Sequence, residues 1–152
     1  MTQEEEFIPT ISVVEITGDL GGMPPVDANK LFSNVLSEIA RGCISSGAKM
    51  IGHIKANFTT YDGILSISCT AEDGKVRLRS EFHEPVKGYR SVMNVIVYGI
   101  DYSRMCTVID SSLKKIPGKK VITKVKDSGC NDSSCNDPNC TDPMHRSFVR
   151  LT

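Results

Sequence analysis

The sequence predicts an α+β domain, a two-layer sandwich in which two helices cover one face of a mostly antiparallel sheet of four to six strands. Three observations lead to this prediction. Segments of alternating or β-branched residues recur through the first 118 residues, and two other segments repeat apolar residues at helical spacing. Short turns join the central strands, which favours antiparallel pairing. Both helices need an apolar surface to pack on, so a two-layer sandwich of order β-α-β-β-β-β-α follows.

The first strand is expected at Ile8 to Ile16, which is apolar and rich in β-branched residues. The glycines and prolines from Gly18 to Pro25 predict a long turn after it. A helix follows, for which Asp27 is the expected N-cap. Because this helix is a crossover connection, the first strand can lie parallel to its neighbour. The buried stripe of the helix has the spacing of one apolar face and comprises Leu31, Phe32, Val35, Leu36, Ile39, Ala40, Cys43 and Ile44.

Four further strands are expected before the second helix. Lys49 to Phe58 alternates between two faces, which places Ile51 beside His53 on the same face if the strand is regular. A turn at residues 60–63 leads into a strand with Leu65, Ile67 and Cys69 on one side, and the Asp-Gly pair at 73–74 predicts a tight hairpin. The returning strand alternates Val76, Leu78, Ser80 and Phe82 with Lys75, Arg77, Arg79 and Glu81, and a further strand spans Ser91 to Tyr98.

The second helix is expected from Ser103 to about Ile116, with Asp101 or Ser103 as its cap. Lys119 to Lys126 alternates lysine with apolar or β-branched residues, and it is either an edge strand or an extended linker. The chain is thereby divided into a disordered acidic N-terminus (1–6), the α+β domain (7–118), a linker or edge strand (119–128) and a cysteine-rich irregular tail (129–152).

Composition argues against several classes of function. Lysine plus arginine and aspartate plus glutamate each number 18, so the chain has no overall charge bias toward nucleic acid. No apolar run is long enough to cross a membrane, and the acidic N-terminus lacks the hydrophobic stretch of a signal peptide. A cytoplasmic protein is therefore expected. In that reducing compartment, the six cysteines are better interpreted as thiols or metal ligands than as disulfides.

The tail repeats a soft ligand every fifth residue. Its four candidate zinc ligands are Cys130, Cys135, Cys140 and His145. Three thiolates and one imidazole form the tetrahedral donor set that structural zinc prefers, and metal binding would order a segment too polar to form a core. The four-residue gaps are long for zinc, and no Cys-x-x-Cys pair is present. The alternatives are therefore a disordered tail with labile thiols, a disulfide arrangement or an iron–sulfur cluster.

The polar face of the sheet is the second candidate site. Regular pairing would bring onto one surface His53, Lys55, Asn57, Ser66, Ser68, Arg77, Arg79 and Glu81. Of these, His53, Lys55, Ser66, Ser68, Arg77 and Arg79 are candidate ligand-binding residues, because guanidinium and hydroxyl groups suit an anion. The alternatives are an ordinary solvated face and an oligomer interface.

No catalytic residue is assigned. The glycine-rich segment at 18–25 lacks phosphate-loop spacing, and its prolines remove amide donors. Cys43, Cys69 and Cys106 lie on predicted apolar faces, where cysteine acts as a small hydrophobe. The leading hypothesis is a small accessory protein that forms a homo-oligomer and binds zinc through its tail. The first rival is a domain, or a weakly specific enzyme, that takes an anionic small molecule on the sheet face. The second rival is a structural oligomer subunit.

Overall fold

The computed structural model describes residues 8–127, with side chains from 8 to 122. Six strands pair antiparallel in the order β4-β3-β2-β5-β1-β6, and two helices pack on them. The predicted α+β sandwich is confirmed. In chain order the elements are β1 (Pro9–Met23), α1 (Pro25–Ser45), β2 (Met50–Thr60), β3 (Gly63–Cys69), β4 (Val76–Ser80), β5 (Val86–Tyr98), α2 (Tyr102–Leu113) and β6 (Lys120–Asp127).

The core lies between one face of the sheet and the two helices. Phe32 of α1 is fully buried and stacks on Phe58 of β2, with ring centroids 3.7 Å apart. Tyr89 of β5 meets Phe32 edge-on at 5.2 Å. The helix stripe that the sequence predicts is mostly buried here, and the same layer contains Val14, Ile16, Ile54, Ala56, Leu65, Ile67, Met93, Val95, Met105 and Ile109. Neither of the two described helices packs on the opposite face of the sheet, which we call the open face.

The two helices approach each other closely at Gly42. A Cβ atom built on Gly42 would lie 2.7 Å from Cγ1 of Val108 in α2. The absence of a side chain at position 42 lets the valine of the second helix fill that space. In the described residues, neither helix combines the length and the apolarity that a membrane-spanning segment needs.

β1 is longer than the sequence predicts, and the expected parallel option is wrong. The strand continues to Met23, and it is antiparallel to both β5 and β6. At Gly18 the ring of Tyr89 occupies the space that a side chain would need, since a Cβ there would lie 2.5 Å from the tyrosine hydroxyl oxygen. This glycine is therefore a strand residue that accommodates the ring, and not a turn residue. The register with β5 shifts between Asp19 and Met23, where Gly21 and Gly22 have positive φ. The glycines therefore make a bulge in a strand rather than a long turn.

The start of α1 also differs from the prediction. The helix begins at Pro25, its N-cap residue is Pro24, and the cap has no side-chain hydrogen bond. Asp27 lies in the first turn without capping it. Proline fits the first helical position because its ring presets φ and its missing N–H would have no partner there.

β2 contains a bulge at Gly52. Ile51 pairs with Val97 and His53 pairs with Ile96, so Gly52 is the extra residue. Ile51 is consequently buried beside Ile54, and the predicted placement of Ile51 on the polar face with His53 is wrong. The bulge shifts by one residue which side chains face the core. A sequence pattern with a period of two does not reveal such a shift.

The elements after β4 agree more closely with their predictions from the sequence. Asp101 caps α2, since its Oδ1 accepts a hydrogen bond from the Arg104 N–H at 2.8 Å. The helix ends at Leu113, short of the predicted Ile116. β5 starts at Val86, earlier than the predicted Ser91. Lys120–Asp127 is an edge strand paired with β1, which was one of the two expected alternatives.

Asp62 ties the β2–β3 turn to the loop after β4. Its Oδ2 accepts hydrogen bonds from the N–H groups of Glu84 at 2.8 Å and His83 at 2.7 Å. These two bonds lower the pKa of the Asp62 carboxyl below its ordinary value of 3.8. A carboxyl with a lowered folded-state pKa stabilises the fold above its unfolded pKa. That contribution is lost as the pH falls through the folded pKa.

We therefore expect Asp62→Asn to lower the free energy of unfolding near neutral pH. The deficit relative to the unmodified chain should shrink as the pH falls from 3.8 through the lower folded-state pKa, because below that pKa both side chains are uncharged. Urea denaturation of both chains across the acid range measures this. Glu72→Gln, at an exposed turn, is the control. A deficit that is the same at every pH would contradict the charge-based explanation.

Candidate anion-binding site on the open face of the sheet

The open face of the sheet carries two parallel rows of polar side chains on β2, β3 and β4. In the first row, Lys55 is opposite Ser68, and Ser68 is opposite Arg77. In the second, Asn57 is opposite Ser66, which is opposite Arg79. Residues directly opposite each other in an antiparallel pair project from the same face. The prediction that these six residues share one surface is confirmed.

The alternation of the three strands places the rows there. Ile54, Ala56 and Phe58 of β2 point into the core, as do Leu65 and Ile67 of β3. The residues between them must then project from the other face, because successive strand side chains alternate. The burial of one set thus fixes the exposure of the other.

Two adjoining depressions mark this surface. The first has a volume of about 340 Å³ and is lined by Ser68, Thr70, Ala71, Lys75 and Arg77. The second has a volume of about 220 Å³ and is lined by Lys55, Ser66, Ile67, Ser68, Arg77, Leu78 and Arg79. Ser68 and Arg77 belong to both, so the depressions form one continuous surface feature.

Four cations surround the depressions, and none of them is seen in an ion pair with a carboxylate of residues 8–122. They are Lys55, Lys75, Arg77 and Arg79. Ion pairs of the described side chains lie elsewhere and include Arg90 with Glu15, Arg104 with Asp101 and Lys115 with Glu38. Because the whole chain has no net charge, this cluster is a local positive excess. Such an excess attracts anions.

The acidic turn before β4, at residues 72–74, packs against α1. Gly74 lies against Ser37 of α1, and Arg41 of α1 donates through Nε to the Asp73 carbonyl at 2.9 Å. The Asp73 carboxylate accepts the backbone N–H of Lys75 at 2.9 Å. The Lys75 side chain lines the first depression, and it is not seen in an ion pair with Asp73 or another described carboxylate.

The neighbouring part of the open face, on β5 and β1, is more apolar. Ile11, Val13, Val92 and Ile96 project from it and are half-buried. The Glu15 side chain is only 5% exposed there, and it is neutralised by the guanidinium of Arg90. The Nε–Oε1 distance of this pair is 2.9 Å. The Arg90 charge on this part of the face is thus paired, unlike the cations of the described β2–β4 part.

The structure brings together five of the six predicted ligand-binding residues. Lys55, Ser66, Ser68, Arg77 and Arg79 line the depressions, whereas His53 lines neither. His53 lies on the bulge of β2 and is paired with Ile96. Glu81 follows the end of β4, and its N–H donates to the Ile64 carbonyl at 3.0 Å.

Sequence reasoning missed Lys75 and Thr70 as lining residues. Each lies two positions beyond a predicted residue of the same face, since Lys75 precedes Arg77 and Thr70 follows Ser68. The alternation Lys75, Arg77, Arg79 was the available signal. Lys75 precedes the first residue of β4, so the position of its side chain depends on the turn before the strand. The alternation of residues alone does not describe that turn.

The predicted metal ligands Cys130, Cys135, Cys140 and His145 lie outside the described residues. Inside them, no group of three or more metal-binding side chains is assembled. Cys43 and Cys69 are buried free thiols, as predicted, and Cys106 is half-buried. Burial raises the pKa of Cys43 to about 11 and also raises that of Cys69. These two thiols are consequently poor thiolate ligands where they stand.

Comparison with protein-family models, with curated proteins and with solved structures gives no match for this chain.

Proposed function

We propose that this domain binds an anionic small molecule on the β2–β4 part of its open sheet face. We call this surface the cationic face and define it by Lys55, Ser66, Ser68, Lys75, Arg77 and Arg79. The observation that carries the proposal is that four cations converge with two serine hydroxyls on adjoining depressions and are not in ion pairs with any carboxylate that the structure describes.

The donor chemistry favours phosphate or carboxylate ligands. The guanidinium of Arg77 presents paired N–H donors that match two oxygens of one anion. Lys55 and Lys75 add compact positive charges, and Ser68 can donate its hydroxyl hydrogen to a further oxygen. The volumes of about 340 and 220 Å³ suit a small molecule, which typically occupies several hundred cubic ångströms.

Binding is proposed rather than catalysis. The side chains that line the two depressions include no histidine, cysteine or carboxylate. A general base or an activated nucleophile normally depends on one of these groups. The lining therefore supplies charge and hydrogen-bond donors without an evident proton acceptor.

Calorimetric titration of the full chain with inorganic phosphate tests the proposal. We expect binding that weakens as sodium chloride is added, because exposed charges are screened within about 10 Å at moderate ionic strength. Binding that is independent of salt, or no heat from phosphate beyond that of a chloride control, would contradict it.

The rival interpretation of the same surface is an interface between copies of the chain. A two-fold contact centred on this surface would bring Arg77 and Arg79 of each copy close to the same residues of the other. Opposed like charges without intervening anions are unfavourable. The charge distribution therefore supports an anionic ligand over self-association at this face.

We also propose that the tail binds one zinc ion through Cys130, Cys135, Cys140 and His145. What supports this is the ligand set itself, since three thiols and an imidazole recur at a fixed interval of five residues. The buried Cys43 and Cys69 are unsuited to complete the site. We take the tail to supply all four ligands, and Cys106 is the domain thiol whose replacement tests this.

For the tail, we expect about one zinc per chain in untagged protein purified anaerobically. A variant with Cys130→Ser, Cys135→Ser and Cys140→Ser should contain none, whereas Cys106→Ser should keep the full amount. Elemental analysis by mass spectrometry measures this. Equal zinc contents in all three proteins, or no zinc in any, would contradict a tail site.

A further inference from the structure

We infer that the ligand of the cationic face is a small bisphosphate whose two phosphate groups lie about 7 Å apart, one in each depression. This inference rests on the proposed function and specifies the class of ligand. It follows from the spacing of the rows, the number of charges and the sharing of Arg77 between the depressions.

The spacing comes from strand geometry. Side chains two positions apart on one strand share a face and lie about 7 Å apart, because each residue rises by about 3.4 Å. Lys75, Arg77 and Arg79 follow one another in this way along β4 and the residue before it. The first depression is lined by Lys75 and Arg77 among others, and the second by Arg77 and Arg79 among others. We infer from these linings that phosphates in the two depressions would be about one such step apart.

The charges indicate two phosphates. Four cations line the combined surface, and they are Lys55, Lys75, Arg77 and Arg79. A phosphate monoester carries between about −1.5 and −2 charges near neutral pH, so two of them balance the four cations. One phosphate or a dicarboxylate would leave about two positive charges uncompensated.

Arg77 is placed to contact both groups. It lines both depressions, whereas Lys75 lines only the first and Arg79 lines only the second. A guanidinium offers five N–H donors on two edges, enough to engage two anions at once. The first phosphate would then be held by Lys75 and Arg77, and the second by Arg77, Arg79 and Lys55.

A single-stranded nucleic acid also presents phosphates in series, but the surface favours a small molecule. Proteins that bind single strands stack the bases on aromatic side chains. None of the side chains that line either depression is aromatic. The cationic face offers phosphate contacts without a surface for bases.

The test is a series of α,ω-alkanediphosphonates of increasing chain length, titrated into the full chain by calorimetry. The series should be chosen so that its phosphorus–phosphorus distance runs from well below to well above about 7 Å. We expect affinity to peak near that distance and to exceed that of the alkylmonophosphonate of equal length by about tenfold.

Two single variants assign the phosphates to the depressions. Lys75→Ala and Arg79→Ala should each remove the advantage of the best diphosphonate over the monophosphonate, while monophosphonate binding survives at the intact depression. Lys30→Ala removes a positive charge from the exposed side of α1 and should change neither ligand.

The outcomes separate the inference from the proposed function. If no phosphonate binds, the proposed function and the inference both fail. If all chain lengths bind equally, or if diphosphonates bind no tighter than monophosphonates, the proposed function stands and the bisphosphate inference is overturned. Tighter binding of a thymidine oligonucleotide than of any diphosphonate would also overturn it.

Discussion

Replacing Arg77 by alanine is expected to weaken phosphate binding by about tenfold or more, without unfolding the domain. Arg77 is exposed on the edge strand β4 and lines both depressions, so its loss removes a donor from each of them. A hydrogen bond to a charged group contributes about 1.5–3 kcal/mol, and solvent screening reduces that contribution at an exposed site. A tenfold loss corresponds to about 1.4 kcal/mol.

Two matched variants control this experiment. Arg77→Lys keeps the charge but loses the paired donors, and we expect it to retain part of the affinity. Lys30→Ala removes one charge from α1 and should leave phosphate affinity unchanged. If Lys30→Ala and Arg77→Ala weaken binding equally, the effect is one of overall charge and not of a site. If Arg77→Ala changes the assembly size but not the affinity, the oligomer-subunit alternative is supported instead.

The largest effect on stability is expected from Phe32→Ala, which should lower the free energy of unfolding by about 3–5 kcal/mol. Phe32 is fully buried, stacks on Phe58 and meets the edge of Tyr89. Alanine at this position leaves a cavity at the place where α1 joins β2 and β5. The two surrounding rings, Phe58 and Tyr89, belong to separate strands, so they cannot easily close it.

Guanidinium chloride denaturation measures this change. Phe32→Leu, which keeps most of the volume, should be less destabilising than Phe32→Ala. Tyr61→Ala is the surface control, because Tyr61 is 83% exposed, and it should change stability by less than about 0.5 kcal/mol. A loss for Phe32→Ala as small as that of Tyr61→Ala would contradict the role of the aromatic cluster in joining helix and sheet.

Most of the fold could be predicted because its residues follow simple periods. The α1 stripe around Phe32 and Ile39 has helical spacing, and β3 alternates apolar with polar residues from Leu65 to Cys69. Two-layer packing then follows from the need to cover both helices. Asp101 capped its helix as expected, since its carboxylate directly precedes the helical residues.

Two of the errors in the strands arose where a glycine has a tertiary role. Gly52 makes a bulge because the carbonyl oxygen of Ile96 and the ring of Tyr98 leave no room for a Cβ atom. Gly18 remains in β1 because the Tyr89 ring lies over it. In both cases the partner is distant in sequence. Local patterns treat glycine as a turn residue and cannot show which side chain fills its space.

The candidate site was predictable to a similar extent. The alternation of β2, β3 and β4 identified Lys55, Ser66, Ser68, Arg77 and Arg79, whose register the hairpin turns fix. His53 was included by the same pattern, yet it lines neither depression. Lys75 was left out because its contribution depends on how the 72–74 turn packs against α1. The zinc ligands of the tail stay a prediction from sequence.

The most direct measurement is an amide chemical-shift map of the isotope-labelled full chain during titration with phosphate. If the cationic face binds the anion, the largest shifts will come from the amides of Ser66, Ser68, Lys75 and Arg77, and they will saturate with a common dissociation constant. The amides of α1 and α2 will move little. Saturable shifts centred on the helices, or only uniform small shifts across the chain, would contradict an anion site on the open face of the sheet.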